Sequence, residues 1–325
     1  MNRNLLLLSQ AVAVIIVVVG VVAALNAMAS RLPLKVQRFS TPILLIGPAF
    51  VLLALMYLLP TVLTVVESLR SSSGDFVGLE NYERAAQNPG VIEALTNTML
   101  WTIVVPVLCV LLGLVAAGLT DRVGPRSERT AKTLIFLPMA ISFVGASTIW
   151  TFIYAYQPPG AEQIGLLNEV ATSMGLDPVP WMIVRDFKLN SFLLMVIVIW
   201  MFTGFAMVSL SAAIKGVPAE TVEAARVDGA SEGTIFRHIV LPQIRSTVVV
   251  MLVTIALLTL KIFDVVYSMT GGRFGSDVVG NLFYTLLFGM RDVSLAAVLV
   301  VILLILVMPI MAINIRRVSR GGKQA

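Results

Sequence analysis

The sequence predicts an all-α integral membrane protein, and three observations carry that prediction. Of its 325 residues 58% are hydrophobic and only 13% charged, where soluble domains carry roughly 25% charge, and the mean hydropathy is +0.94. Several apolar stretches exceed the ~20 residues that cross a bilayer as helix. Lys and Arg alternate between sparse and frequent in successive polar segments, as they do in a chain that crosses repeatedly. The net charge of +5 follows from that bias and calls for no nucleic acid partner.

Taken in order, the apolar stretches predict seven spans, at 5–29, 41–66, 97–120, 133–156, 191–214, 246–268 and 293–315. The segments 30–40, 121–132, 215–245 and 316–325 hold three, four, four and four Lys or Arg, fifteen in all. The segments 1–4, 67–96, 157–190 and 269–292 hold one, two, two and two, which makes seven, and Lys261 lies within a span. The positive-inside bias therefore places the fifteen-residue set and the C-terminus in the cytoplasm and the N-terminus outside. The first stretch has a second reading. Ala27-Met28-Ala29 resembles a signal-peptidase site behind the thin basic region at Arg3, but the run Leu5–Leu25 is longer than the ~7–15-residue core of a signal peptide. Cleavage there would also strand Arg31, Lys35 and Arg38 outside, so an uncleaved outer helix is expected. The domain division is an extra N-terminal helix and linker over 1–40, a transmembrane domain over 41–315, and a basic tail over 316–325. Pro48, Pro60, Pro106, Pro138 and Pro309 fall inside spans, where they serve either as hinges or as ordinary kinks.

Within 215–245 the residues Ala219 to Val227 are rich in helix formers, behind Pro218 at a position that a first helical turn tolerates. Gly229 then permits a left-handed corner. A second short helix is expected over Ser231 to His238, stopped by Pro242 before the next span. Two short helices at an angle make a knob projecting from the membrane. The plain alternative is an amphipathic loop on the bilayer surface, which would need neither the glycine nor the I-x-L-P ending.

Glu223, Ala224, Ala225, Gly229, Ile239, Leu241 and Pro242 resemble, at full spacing, the EAA loop of ABC-importer permease subunits. The resemblance covers about 41–315 and implies a type I importer core of six transmembrane helices plus one extra N-terminal helix. Gly78-Leu79-Glu80-Asn81-Tyr82 and Phe263–Gly272 are similar to the first permease of carbohydrate systems, the maltose-permease F-type. The ending Pro309–Arg316 looks like α-glucoside permeases. Two departures stand out: only one helix precedes the core, and the first external loop of the core has no large inserted domain. The family implies a prokaryotic inner membrane, a second permease subunit, an ATP-binding-cassette ATPase dimer that binds ATP and Mg, and an extracellular solute-binding protein. It also implies that Glu223, Ala224, Ala225, Asp228, Gly229, Ile239, Leu241 and Pro242 couple to the ATPase.

The chain's own chemistry is sparse. One cysteine, Cys109, and one histidine, His238, permit no disulfide framework, no metal site and no histidine triad. No G-x-x-x-x-G-K-[ST] loop occurs, so this chain is not its own ATPase, and ATP hydrolysis, if it drives transport, comes from a partner. Lys261 and Asp264 are ionisable residues within a span, spaced i, i+3 on one helix face. Such residues mark a functional path by default, although Lys261 can snorkel outward and the two can pair. A gap-free match to the maltose permease places Phe202, Phe205, Leu258, Thr259 and Ile262 at sugar-contacting positions, and Thr259 and Ile262 replace asparagines there. Phe at helical spacing is equally at home in lipid or core. The expected function is the permease subunit of a carbohydrate importer, for an α-glucoside or for another solute such as glycerol 3-phosphate or a polyol. A self-sufficient secondary transporter would show inverted repeats and more midplane charge. A membrane scaffold or enzyme lacks any convergent catalytic constellation here.

Overall fold

The computed structural model describes Gly20, Ala23, Ala27 and residues 34–321. Apart from Gly20, Ala23 and Ala27, the expected first span, 5–29, with its signal-peptidase alternative, and the last four residues lie outside the described set. The chain divides into two compact units, Met1–Val66 and Glu67–Ala325.

Helix α1, Leu34–Ser68, makes up most of what is described of the first unit, to which it belongs as far as Val66. Its stretch Ile46–Ser68 is long and apolar enough to cross a membrane. Thr61 and Thr64 turn their hydroxyls back onto the carbonyls of Tyr57 and Pro60, at 2.7 and 2.8 Å, which satisfies polar groups that hydrocarbon could not.

The second unit is helical. Its short first helix α2, Glu80–Gln87, leads to Asn88, whose side chain accepts from the backbone N–H groups of Gly90 and Val91 and so caps α3, Pro89–Thr120. Pro89 opens that helix, where its missing N–H costs nothing, and α3 begins eight residues before the expected span. Then come α4, Pro125–Phe136, continued by a tight turn to Ala140, and α5, Phe143–Ile153. The expected straight span 133–156 is bent here by 101°. Ser142 caps the second of these helices by accepting from Gly145 N–H at 3.1 Å. After α6, Leu166–Ser173, comes α7, Leu189–Lys215.

The core sits where α3 and α7 lie side by side. Trp101, Val105, Cys109 and Ala117 of α3 pack against Leu194, Val198, Ala206 and Met207 of α7. Glycine makes this approach possible, since a Cβ on Gly113 would stand 2.8 Å from the Ala206 Cβ, and glycine likewise lets α4 approach α7, where a Cβ on Gly204 would stand 2.4 Å from the Ile135 carbonyl oxygen. Small residues at helix crossings let membrane helices gain close packing where no hydrophobic force separates lipid from protein. The buried Trp101 indole donates to Ser191 Oγ at 2.8 Å, and Tyr154 Oη donates to the Leu193 carbonyl at 3.0 Å.

Beyond α7 lie α8, Ala219–Val227, and α9, Glu232–Ile235. A π turn, Phe236–Val240, joins α9 directly to α10, Leu241–Leu260. Pro242 therefore does not stop the second knob helix; that expectation is corrected. The π turn carries the Leu241 N–H back to the Phe236 carbonyl, and Pro242 falls in the first turn of α10, where it is tolerated. A second correction concerns the expected span 246–268, which is interrupted. Helix α10 ends at Leu260 and a short helix α11, Asp264–Met269, starts after a break at Lys261–Phe263. The chain continues through α12, Val279–Tyr284, a π turn over Thr285–Met290, and α13, Val293–Gly321. Among the described residues four helices are long and apolar enough to span a membrane, or five if the bent pair counts as one.

Candidate functional site

The first helix of the knob and the glycine corner that ends it are built as the sequence suggests, whereas the second helix runs on into α10. Gly229 adopts φ +81°; Gly229 N–H donates to the Arg226 carbonyl and Ala230 N–H to the Ala225 carbonyl, each at 3.0 Å. Those two bonds are the left-handed helix stop that glycine serves best. Ser231 caps α9 from Thr234 N–H at 3.3 Å. Across the corner, Arg226 grips Glu232 through Nε at 2.7 Å and Nη2 at 3.2 Å, and that carboxylate raises the Arg226 pKa.

The eight candidate coupling residues divide between two tasks. Ala225, Ile239 and Leu241 join a small core around Ile235, Val240 and Ile244 that also takes in Leu114 of α3 and Ile214 of α7. They fix the knob to the ends of two central helices. Glu223, Ala224, Asp228, Gly229 and Pro242 are exposed and form the outer edge. Val227 beside them is 88% exposed.

Where α3, α4 and α7 meet near the knob, four charges converge. Lys132 contacts Glu128 and, at 3.5 Å, Asp121. Lys215 contacts Glu128 and, at 3.9 Å, Asp121. Ser211 donates to Asp121 Oδ1 at 3.3 Å and accepts from Lys132. The only sequence signal was the i, i+4 spacing of Glu128 and Lys132. A cavity of about 210 Å³ lies between this cluster and the knob, with Asp121, Arg226 and Glu232 in its wall.

At the other end of α3, the loop after α11 is pinned by amides. Asn97 donates to the carbonyls of Gly275 and Asp277 at 2.9 and 2.8 Å, and Asn190 donates to that of Phe274 at 2.8 Å. Val279 N–H donates to Thr98 Oγ1 at 2.9 Å. The Asp277 carboxylate accepts from Asn281 Nδ2 at 2.8 Å and from Val278 N–H at 2.9 Å. Burial nevertheless pushes its pKa up to about 6, with Glu93 adding to the rise.

The candidate path residues are spread over two faces. Phe202 is buried and meets Phe143 edge-on, with ring centroids 5.7 Å apart; Phe205 packs half-buried against the same cluster, which includes Ile262. Thr259 is buried and donates its hydroxyl to the Ile255 carbonyl at 2.8 Å. Leu258 and Lys261 are exposed and Asp264 is half-buried. Lys261 and Asp264 do not share a helix face, because the break lies between them, and among the described residues no ion pair joins them. Four aromatic rings gather at that break, Phe263, Tyr267, Tyr284 and Phe288. Sequence reading missed them as a group, because Tyr284 and Phe288 come from a different segment.

Residues 109–320 match the family model described as binding-protein-dependent transport system inner membrane component. The chain is 48% identical over 279 residues to the osmoprotective compounds uptake permease protein GgtC of Synechocystis, covering 86% of this chain and 99% of that one. It is 46% identical over 301 residues to the alpha-glucoside transport system permease protein AglF of Rhizobium meliloti, covering 91% and 88%. Among solved structures, one chain of a bacterial alginate ABC transporter in complex with an alginate pentasaccharide-bound periplasmic protein has the same fold. Its TM-score is 0.72 at 19% identity, over 86% of this chain and 94% of that one.

Proposed function

We infer the function of this chain from its membership: it belongs to the family of binding-protein-dependent transport system inner membrane components. In this reading it is a non-catalytic permease subunit that forms a translocation path with a second permease. An ATP-binding-cassette ATPase dimer, holding ATP and Mg, docks on the knob from the cytoplasm. A solute-binding protein delivers the solute from outside. The N-terminus is external, the loop 215–245 and the C-terminus are cytoplasmic, and the transmembrane domain covers 41–315 between an extra N-terminal helix and a basic tail.

The observation that carries the reading is the knob's division of labour. An exposed edge of Glu223, Ala224, Asp228 and Gly229 stands on an apolar foot that grips the ends of α3 and α7. A push on that edge is passed to the two helices at the core. In water such a carboxylate contributes little, but at a docked interface that excludes water its contact strengthens.

The solute proposed is a neutral α-linked glucoside, supported by the 46% identical relative named for alpha-glucoside transport. An ion in the path would need buried partners, and ionisable residues within the spans are few. The 48% identical relative, named for osmoprotective compounds, favours a second reading, a small compatible solute. Competition in uptake assays with the assembled importer separates them. α-Glucosides of increasing length should displace a labelled glucoside, whereas displacement by small osmoprotectants alone would install the second reading.

A further inference from the structure

The break at Lys261–Phe263 interrupts a stretch that reads as one continuous span, and the residues around it are unusual. Phe263 and Tyr267 stack with centroids 5.0 Å apart and planes at 28°. Tyr284 meets both of them at 5.1 Å, and Phe288 extends the series at 5.0 Å from Tyr284. Tyr267, Tyr284 and Phe288 are 48%, 36% and 64% exposed, so the ladder presents ring surface outward. It is assembled by Gly280, whose missing side chain lets α12 lie against the break: a Cβ there would stand 2.6 Å from the Ile262 carbonyl oxygen. The π turn Thr285–Met290 then carries Phe288 into line, and such turns gather at functional sites.

Two physical facts decide what this face meets. A helix break frees backbone polar groups, which hydrocarbon does not tolerate, so broken segments line cavities or lie under protein. Lys261 is exposed at the break and Asp264 half-exposed beside it, and charged groups at such a face need water or a polar ligand. A wet surface that also carries stacked rings is the composition a sugar requires, since ring faces cover the apolar C–H faces of pyranoses while phenol and charged groups reach their hydroxyls.

We propose that Phe263, Tyr267, Tyr284 and Phe288, flanked by Lys261 and Asp264, form a carbohydrate-stacking subsite in the translocation path of this permease. The proposal rests on the sugar-importer reading and deepens it. The subsite lies on the exposed side of the break, whereas Phe202, Thr259 and Ile262 are buried within the chain's own packing.

The test uses the complete complex in proteoliposomes, with ATP inside and sugar-loaded binding protein outside, and measures glucoside transported per ATP hydrolysed. Tyr267→Leu and Tyr284→Leu keep bulk but lose the ring, and each should lower that ratio about three- to tenfold, the range expected for one lost aromatic contact. Tyr267→Phe and Tyr284→Phe keep the ring and should stay within about twofold of the parent, given the small net value of one hydroxyl contact. Copurification of the other subunits is measured in parallel. Unchanged ratios in both leucine variants would overturn the subsite, as would equal losses in leucine and phenylalanine variants. Loss of the second permease from the leucine complexes would overturn it too, by making the ladder a subunit contact. If the parent complex moves no neutral sugar at all, the sugar-importer reading fails first and the subsite falls with it.

Discussion

Gly229 gives a quantitative handle on the knob. Its φ of +81° lies in the left-handed region, and a Cβ built there meets nothing within 4 Å, so substitution acts through backbone conformation alone. Alanine in that region costs about 1–2 kcal/mol, and stiffening of the unfolded chain returns about 0.4–1 kcal/mol. The net is about 1 kcal/mol, roughly a fivefold fall in the population of the native corner. Asparagine tolerates the region and should cost less; valine, β-branched, should cost most. The assay is binding-protein-stimulated ATP hydrolysis and solute uptake by the reconstituted complex, with limited proteolysis reporting the corner itself. Coupling should fall in the order glycine, asparagine, alanine, valine, with membrane insertion unchanged. Parental coupling in Gly229→Val, or an asparagine variant as impaired as valine, would refute the argument that the corner transmits force.

Three further outcomes are expected. Glu223→Lys reverses the charge of the exposed edge without touching the knob's foot, so stimulated ATP hydrolysis should be lost while the subunit stays in the membrane; normal stimulation would remove Glu223 from the interface. Gly204→Val forces a side chain into the Ile135 backbone, whose oxygen would lie 2.4 Å from the new Cβ, and overpacking of this kind costs about 1–3 kcal/mol. The detergent-solubilised protein should unfold at lower temperature, and an unchanged midpoint would contradict the close α4–α7 contact. The Asp277 carboxyl has a folded pKa of about 6 against 3.8 for the free group, so folding favours its protonated form. The stabilisation is complete below about pH 3.8 and is lost as pH rises through about 6, at most about 3 kcal/mol. Hydrogen exchange of the 270–279 loop should therefore quicken between pH 4 and 7 beyond the intrinsic chemistry, and Asp277→Asn should abolish that excess.

The knob was legible because its signals are local. Gly229 and the helix formers before it specify a left-handed stop, and the two hydrogen bonds of that stop are present. The central helices were legible from apolar length, and α3 and α7 fall on the spans expected at 97–120 and 191–214. The break at 261–263 was not legible: neither Gly nor Pro falls between Leu241-Pro242 and Tyr267, so periodicity reads one helix, and the contact that accommodates the break comes from Gly280 in another segment. The bend after Ala140 had partial signals in Pro138 and Ser142. Beyond the i, i+4 pair Glu128–Lys132, the cluster with Asp121 and Lys215 depends on how three helices converge, which no local pattern encodes. The path residues named from the family divide between buried and exposed faces for the same reason: helical position sets a direction, but the neighbours decide what lies there.

The permease role is tested most directly by uptake of a labelled α-glucoside into proteoliposomes that contain this chain, a second permease and the ATPase dimer. ATP is supplied inside and the binding protein outside, and each component is omitted in turn. Uptake against a gradient is expected only when all are present, and none from this chain by itself. Concentrative uptake by this chain alone, without ATP or the ATPase, would contradict that role.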